Sequence, residues 1–363
     1  MQRISTNKLQ PGQVIGRDIL NADGEILLRW GIVLTEKYIK RLIELGIYSI
    51  YIENPYFKDI RIPTTINEKV RVRAIKILKD NFLKISINKA HDMKDFLTIA
   101  NAVVDEVCAN RHLLIHLTDI RAYDDYTFIH SVNVAILAVF TGIGLGYGKT
   151  KLKELALGGL LHDVGKMFVP KEILNKPAKL TEDEMEVMKG HSLFGFELLR
   201  KNPEISLIVA HMAFQHHERP NGSGYPRGLR GEEIHEYANI IALADVYDAL
   251  VSDRPYRRGI PPHEAYEVLL ELTRTQLDMK FLKIFFNYVA IYPIGSVVQL
   301  NTGEVGVVAD LKKQSPLRPQ IRIILDAKGN AVKKNYEVNL ENRPTQFITK
   351  VFKEEERIIF PPI

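Results

Sequence analysis

The sequence has 363 residues and is 46% hydrophobic and 26% charged, and its 49 Lys and Arg against 44 Asp and Glu give a net charge of +5. These values are typical of a folded protein of two or three domains, and they exclude a wholly disordered chain and a collagen-like chain. The single cysteine, Cys108, excludes an intrachain disulfide. The start is polar, and the most apolar stretch, Val132–Leu145, is shorter than the ~20 residues of a membrane helix. We therefore expect a cytoplasmic protein without a membrane contact.

Residues 1–62 are predicted to form a small α/β module with a regulatory or dimerisation role, so a homodimer is expected. Thr35 can cap the start of a helix over Glu36–Leu45, and Gly46 can end that helix. Short apolar runs next to turn residues predict strands over Gln13–Ile19, Glu25–Leu28 and Tyr48–Ile52.

Residues 63–120 are predicted to be a basic helical connector, with helices over Asn67–Ile85 and Met93–Leu117. Between Arg61 and Lys94 there are nine basic and three acidic residues, a local charge of +6. Such a stretch can bind an anion, a nucleic acid or an acidic partner, but a solvated helix face is the commoner explanation. No nucleic acid polymer is expected as a partner.

Residues 121–292 are predicted to be almost wholly helical, and residues 293–363 to form a small β domain, so the fold class is mainly α with two small modules. Thr181 and Glu184 have the spacing of a capping box. Pro203 suits the first turn of a helix toward His216, and Pro262 can open another. Further helices are predicted over Thr127–Val139, Leu152–Leu161 and Tyr237–Val251, and strands over Gly295–Leu300, Val305–Ala309 and Ile321–Leu325.

Five histidines and two aspartates lie on or at the ends of these predicted helices, among apolar residues that would face a core. A single buried histidine is usually a hydrogen-bonded structural residue, so only the joint pattern carries weight. A buried charge must be paired or bound to a metal, and imidazole with carboxylate is a ligand set of transition metals. The seven residues are His130, His162, Asp163, His191, His216, His217 and Asp245.

Between His130 and Arg258 the sequence resembles the HD-GYP family, a subgroup of the HD-domain metal-dependent phosphohydrolases. The resemblance covers less than half of the chain, but several motifs agree in order and spacing. They are His130 to Asn133, the HDxGK motif from His162 to Lys166, His191 with Gly195, the run HHERPNGSGYP from His216 to Pro226, and the run from Ala244 to Leu250 followed by Arg254 to Arg257.

The resemblance implies a helical bundle that hydrolyses cyclic di-GMP to linear pGpG, with a second cut to GMP left open. It implies two divalent metals, most often Fe or Mn. One would be bound by His130, His162, Asp163 and Asp245, and the other by His191, His216 and His217, with Asp163 bridging both. Family members with a third metal carry a carboxylate where this chain has Tyr126, which favours two metals.

Two cations suit a phosphodiester, because they acidify a bridging water and neutralise the phosphate oxygens. Lys166 is placed to stabilise the charge that grows on the phosphate, and the resemblance implies substrate contacts for Arg254, Arg257 and Tyr225. It also implies contacts of the GYP loop with diguanylate cyclases. Glu218 is expected to orient a histidine, and Asn221, where an Asp is common, to shape the loop.

Two alternatives remain open at this point. All seven ligand positions are filled, which favours an enzyme over a non-catalytic cyclic-dinucleotide receptor or scaffold. The ligand set does not distinguish cyclic di-GMP from another cyclic dinucleotide such as cyclic GMP-AMP.

Overall fold

The computed structural model describes residues 1–21, 25–47, 49–54, 59–60, 63, 65–86, 93–115, 126–252, 258–313 and 315–352. These residues form eleven α-helices and nine β-strands, and the strands lie in three separate antiparallel sheets. Apolar side chains gather in three clusters, one for each end of the chain and a large one for the helices between them. The mainly helical fold class is therefore confirmed.

The N-terminal module combines two short sheets with one helix. Its helix α1, Glu36–Glu44, is capped by the Thr35 hydroxyl, which accepts the Tyr38 N–H, and Gly46 follows with φ of 68°. Within the strand predicted over Gln13–Ile19, only Ile19 lies in a strand, whereas Val14 and Ile15 make isolated bridges. The strand at Gln2–Ser5 was not predicted, and the strands predicted over Glu25–Leu28 and Tyr48–Ile52 match observed strands. The strands are β1 (Gln2–Ser5), β2 (Ile19–Leu20), β3 (Ile26–Leu28) and β4 (Ser49–Ile52), with β1 pairing β4 and β2 pairing β3.

The next two helices share the core of the helices that follow them. They are α2 (Glu68–Ser86) and α3 (Met93–Ala109), and a single apolar cluster extends from Ile66 to Ile291. The helix predicted to reach Leu117 ends earlier, and Ile115 instead forms a parallel bridge with Val289. The predicted boundary at 120/121 falls outside the described residues. Lys69, Arg73, Lys76 and Lys84 of α2 are exposed, as a solvated helix face would have them.

The central helices carry the candidate site. They are α4 (Tyr126–Gly144), α5 (Lys149–Leu161), α6 (Lys171–Leu174), α7 (Glu182–Leu199), α8 (Leu207–Gln215), α9 (Glu236–Val251), α10 (Pro262–Leu272) and α11 (Met279–Phe285). The capping box at Thr181 and the helix-opening Pro262 are confirmed. Pro203 is not in a helix, because α8 starts later, where the Ser206 hydroxyl accepts the Ile208 N–H.

Helix α4 runs through the middle of this bundle and packs against α3, α5 and α9. With 19 residues and a mean hydropathy of 1.6 over its best window, it is long and apolar enough to cross a membrane, so the expectation that no stretch has this length was wrong. However, 78% of that window is buried inside the protein. Its apolar character is thus that of a core helix surrounded by other helices.

The C-terminal module is a five-stranded antiparallel sheet. Its strands are β5 (Val297–Leu300), β6 (Val305–Asp310), β7 (Gln320–Leu325), β8 (Ala331–Asn339) and β9 (Ile348–Val351), in the spatial order β8-β7-β6-β5-β9. The three predicted strands correspond to β5, β6 and β7, and β8 and β9 were not predicted. Ile60, from the segment that precedes α2, is buried in the core of this sheet.

Candidate metal centre

Five different helices bring the seven singled-out residues to one place. His130 lies within α4, His191 within α7 and Asp245 within α9, whereas the other four follow the last residues of α5 and α8. His130, His162, Asp163, His191 and His216 are each at most 3% exposed. Five of the seven side chains therefore lie in the core, as expected, and His217 and Asp245 are partly buried.

The seven residues form two groups whose ligand atoms could each surround one metal ion. His130, His162 and Asp245 make one group, and Asp163, His191, His216 and His217 make the other, with the atoms of each group within 4.8 Å of one another. Because imidazole nitrogens and carboxylate oxygens suit transition metals, the donor set fits such ions better than Ca²⁺ or Mg²⁺.

Asp163 lies between the two groups and directs one oxygen to each. Its Oδ2 is 3.3 Å from His162 Nε2 and 4.0 Å from His130 Nε2. Its Oδ1 is 3.5 Å from His191 Nε2 and 3.7 Å from His216 Nε2. This is the arrangement expected of a carboxylate that is shared by two neighbouring cations.

The backbone fixes which nitrogen of three histidines faces the cluster. Nδ1 of His162, His191 and His216 lies 2.8, 2.7 and 2.9 Å from the carbonyl oxygen three residues earlier in each chain segment. A carbonyl oxygen can only accept, so each Nδ1 carries a proton, and in the neutral ring it is Nε2 that presents a lone pair. The rings are thereby oriented with Nε2 as the atom that faces a metal.

A buried carboxylate outside the seven predicted ligands orients His130. Asp248 Oδ2 lies 2.7 Å from His130 Nδ1, and Asp248 Oδ1 accepts a 2.8 Å hydrogen bond from Asn133 Nδ2. Asp248 is fully buried. Its position three residues after Asp245, on the same face of α9, is the sequence signal that could have identified it.

Two buried atoms at the centre make no hydrogen bond with any described residue. They are His162 Nε2 and Asp163 Oδ1, which come from opposite groups. Leaving such atoms without a partner costs free energy, and in this cluster both are acceptors that a cation would satisfy. The residues present therefore fit bound metal ions.

The charges of the cluster reinforce this fit. Burial alone would raise the pKa of the Asp163 carboxyl, but Lys166 and His162 outweigh it and hold that pKa well below the ordinary value. The pKa of Asp245 is likewise held well below its ordinary value against the effect of burial, mainly by His130. Burial lowers the pKa of His191 to about 3 and that of His217 well below its usual range. His130 differs: burial lowers its pKa, but the hydrogen bonds with Asp245 and Asp248 outweigh burial and raise that pKa to about 9. Ionised carboxylates and neutral imidazoles are the forms that bind metals, so a cation bound there would displace a proton from His130.

Of the four predicted substrate-binding residues, two belong to the described part of the chain and two do not. Lys166 Nζ lies 2.5 Å from Asp163 Oδ2, at the border of the cluster. The Tyr225 ring stacks on His217, with ring centroids 4.6 Å apart and an angle of 28° between the planes. Arg254 and Arg257 lie outside the described residues.

The loop from His216 to Pro226 is held by hydrogen bonds to its own backbone. Glu218 was expected to orient a histidine. Instead, its carboxylate accepts the N–H groups of Arg227 at 2.8 Å and Leu229 at 2.9 Å. The Asn221 side chain accepts the N–H and the hydroxyl of Ser223, which is the loop-shaping role expected of it. The loop is thereby fixed over the end of α8.

Comparisons with known proteins agree with this geometry. Residues 124–281 match the model of an HD domain, and residues 297–360 match a KOW domain associated with HD domains. The cyclic di-GMP phosphodiesterase PA4108 of Pseudomonas aeruginosa is 34% identical over 276 residues, which are 75% of this chain and 64% of that protein. The 3′3′-cGAMP-specific phosphodiesterase 1 of Vibrio cholerae is 39% identical over 182 residues, 50% of this chain and 42% of that protein.

The chain thus spans less than two thirds of the length of these two relatives. Among solved structures, Bd1817, an HDG"Y"P protein from Bdellovibrio bacteriovorus, superposes with a TM-score of 0.51 and 19% identity, covering 78% of this chain and 97% of that one. At this identity the likeness shows a shared fold alone. The HD-domain match and the curated relatives identify residues 124–281 as an HD domain of the HD-GYP type.

Proposed function

We propose that this chain is a metal-dependent phosphodiesterase that hydrolyses cyclic di-GMP to linear pGpG. The observation that carries the proposal is the position of Asp163, whose two oxygens face two separate groups of ligand atoms. Two adjacent cations match the needs of an anionic diester, whose own charge repels an attacking hydroxide.

In this proposal His130, His162, Asp163 and Asp245 hold one metal, and Asp163, His191, His216 and His217 hold the other. The bound ions would act as Lewis acids toward the phosphate oxygens and lower the pKa of water. Fe or Mn is proposed, and sites with nitrogen and oxygen ligands also accept Zn according to supply.

The chain's own residues then position the substrate. Lys166 would bind a non-bridging oxygen of the reacting phosphate and stabilise the charge that develops there. Arg254 and Arg257 would contact the substrate through planar guanidinium groups, which suit phosphate or the edge of guanine. The Tyr225 ring, already stacked on His217, would stiffen that ligand and border the substrate.

A second substrate is supported by one of the relatives. The Vibrio cholerae protein is named as specific for 3′3′-cGAMP, so this dinucleotide is the alternative to cyclic di-GMP. A cyclic-dinucleotide receptor without activity is the third candidate. A homodimer, a contact of the GYP loop with diguanylate cyclases and a cytoplasmic location also remain proposals.

Product analysis of the purified chain, loaded anaerobically with Fe²⁺ or Mn²⁺, tests the proposal. We expect linear pGpG from cyclic di-GMP and a lower kcat/KM for 3′3′-cGAMP, with no product after chelation. A higher kcat/KM for 3′3′-cGAMP would transfer the assignment to that substrate. Binding of either dinucleotide without a linear product would favour the receptor.

A further inference from the structure

Among the residues that the structure describes, three cationic side chains lie next to the predicted ligands or to Tyr225, and they differ in what neutralises their charge. Lys166 Nζ lies 2.5 Å from Asp163 Oδ2, and Lys189 Nζ lies 2.5 Å from Glu186 Oε1. Arg219 forms no ion pair with any residue that the structure describes. Of these three cations, it is the one without a carboxylate at contact distance in the described part of the chain.

The backbone holds Arg219 in one orientation. Its Nη1 donates to the carbonyl oxygens of His216 and Glu218, both at 3.1 Å, which anchors the guanidinium beside the end of α8. Its Nε and Nη2 donate to none of the described residues. Because the guanidinium is planar, this leaves one edge with two parallel N–H groups, the geometry that binds two oxygens of one anion.

The loop also keeps the main chain of Arg219 in place. Gly222 N–H donates to the Arg219 carbonyl at 2.7 Å, and a Cβ on Gly224 would lie only 2.4 Å from Arg219 N. The loop backbone thus folds tightly over this residue. A side chain anchored in this way loses little further freedom when it binds a ligand.

Arg219 lies beside the candidate metal centre. It follows the predicted ligand His217 by two positions, and its Nη1 donates to the backbone carbonyl oxygen of the predicted ligand His216. The side chain is only partly buried, so an anion can reach its free edge. A phosphate that binds there would supply the paired oxygens that Arg219 lacks among the described residues.

We infer that Arg219 binds the phosphodiester of a cyclic dinucleotide that is not being cleaved, through Nε and Nη2. This inference rests on the proposed function. A cyclic dinucleotide carries two phosphodiesters, and Lys166, which contacts the shared carboxylate Asp163, is assigned to the reacting one. Arg219, anchored at the start of the neighbouring loop, is then the paired donor for the second.

The test compares Arg219→Gln and Arg219→Lys with the wild-type protein on two substrates. Cyclic di-GMP has both phosphodiesters, whereas bis(p-nitrophenyl) phosphate has only the reacting one. A contact that is equally strong in the ground and transition states changes KM and not kcat. For R219Q we expect KM for the dinucleotide to rise at least about tenfold, with kcat nearly unchanged. R219K should give a smaller rise, and kcat/KM for bis(p-nitrophenyl) phosphate should stay within about twofold of wild type.

The matched control is Arg200→Gln, since Arg200 lies at the end of α7, is exposed and pairs with Glu197 at 2.7 Å. It should leave both substrates unaffected. Metal content and Tm are measured for every variant, and R219Q should match the wild type in metal content.

Equal losses on both substrates, or a loss of metal from R219Q, would show that Arg219 only holds the end of α8 and would overturn the inference. An unchanged KM for the dinucleotide would overturn it as well. If the wild type binds cyclic di-GMP without cleaving it, a Kd at least about tenfold weaker in R219Q still supports the contact. If the wild type cleaves bis(p-nitrophenyl) phosphate but neither binds nor cleaves a cyclic dinucleotide, the proposed function fails first and this inference with it.

Discussion

The orientation of individual side chains decides whether the candidate centre can bind metals. Three histidines donate Nδ1–H to a carbonyl oxygen of the preceding helical turn, which a helix provides without any special residue. His130 differs, because its Nδ1 faces the Asp248 carboxylate. A carboxylate partner makes the imidazole a stronger ligand than a carbonyl partner does. Asp248 should therefore affect metal affinity without touching the metal itself.

Asp248→Asn is expected to weaken metal binding about 10- to 100-fold. The amide offers a single acceptor oxygen, whereas His130 Nδ1 and Asn133 Nδ2 both need one. Competition with a chromogenic chelator measures the loss. The matched control on α9 is Glu236→Gln, a partly exposed carboxylate that should leave metal affinity unchanged. Equal affinities for D248N and the wild type would contradict the positioning role.

At the scale of the element, the turn that follows Asp163 is seated directly on the backbone of α7. Residues Val164–Phe168 form a short 3-10 helix that carries Lys166. A Cβ on Gly165 would lie 1.9 Å from His191 O and 2.5 Å from Gly195 N, so only glycine permits this approach. The contact fixes Asp163 relative to His191, and thereby fixes the two groups of ligands relative to each other.

Gly165→Ala is accordingly expected to force this turn away from α7. We expect a loss of stability of at least about 1–3 kcal/mol, as for overpacked cores, together with weaker metal binding. Thermal unfolding and metal titration measure the two effects. Gly148→Ala is the control, because a Cβ there meets nothing within 4 Å and its φ is −71°. Its cost at the start of α5 should be below about 1 kcal/mol. Similar losses in both variants would argue against the close-approach explanation.

How far the sequence predicted these elements depends on the range of the interactions involved. The Thr181 capping box and the Thr35 cap are local, and both were predicted correctly. Strand β1 pairs with β4, almost fifty residues away, and was missed because its four residues carry no alternating pattern of their own. The role of Glu218 was misassigned for a related reason, since its partners lie nine and eleven residues later in the loop. That the seven site residues lie close together was predicted from their residue types and from the family motifs that contain them, because no local pattern indicates it.

At the scale of the whole molecule, the C-terminal sheet contacts the segment that links the N-terminal module to α2. Arg322 of β7 binds both oxygens of Asp59, at 2.5 and 2.8 Å, and Ile60 is buried in the core of the sheet. Helix α2 in turn packs against the 3-10 turn that carries Lys166. A chain of contacts therefore connects the C-terminal module with the border of the candidate site.

Arg322→Gln and Asp59→Asn should each loosen this attachment. A bidentate pair with one partner largely buried contributes about 0.5–1 kcal/mol, so hydrogen exchange in β7 should rise about two- to fivefold. Arg322 also pairs with Glu337 at 2.8 Å, so Arg322→Gln should have the larger effect of the two single changes. The double variant should show no further increase over Arg322→Gln, because the pair with Asp59 is already broken. Arg343→Gln, an exposed position of the same module, serves as the control. Exchange rates in R322Q that match those in R343Q would contradict a stabilising role of the pair.

The central claim is that Asp163 joins two metal sites in one centre. Its most direct test is the metal-to-protein ratio after anaerobic loading with Fe²⁺ or Mn²⁺ and removal of free metal, compared between the wild type and Asp163→Asn. We expect two ions per wild-type chain and a clear loss in D163N, since the amide lacks the charge that both groups of ligands share. A wild-type chain that retains one ion or none, or a D163N chain that retains two, would contradict the claim.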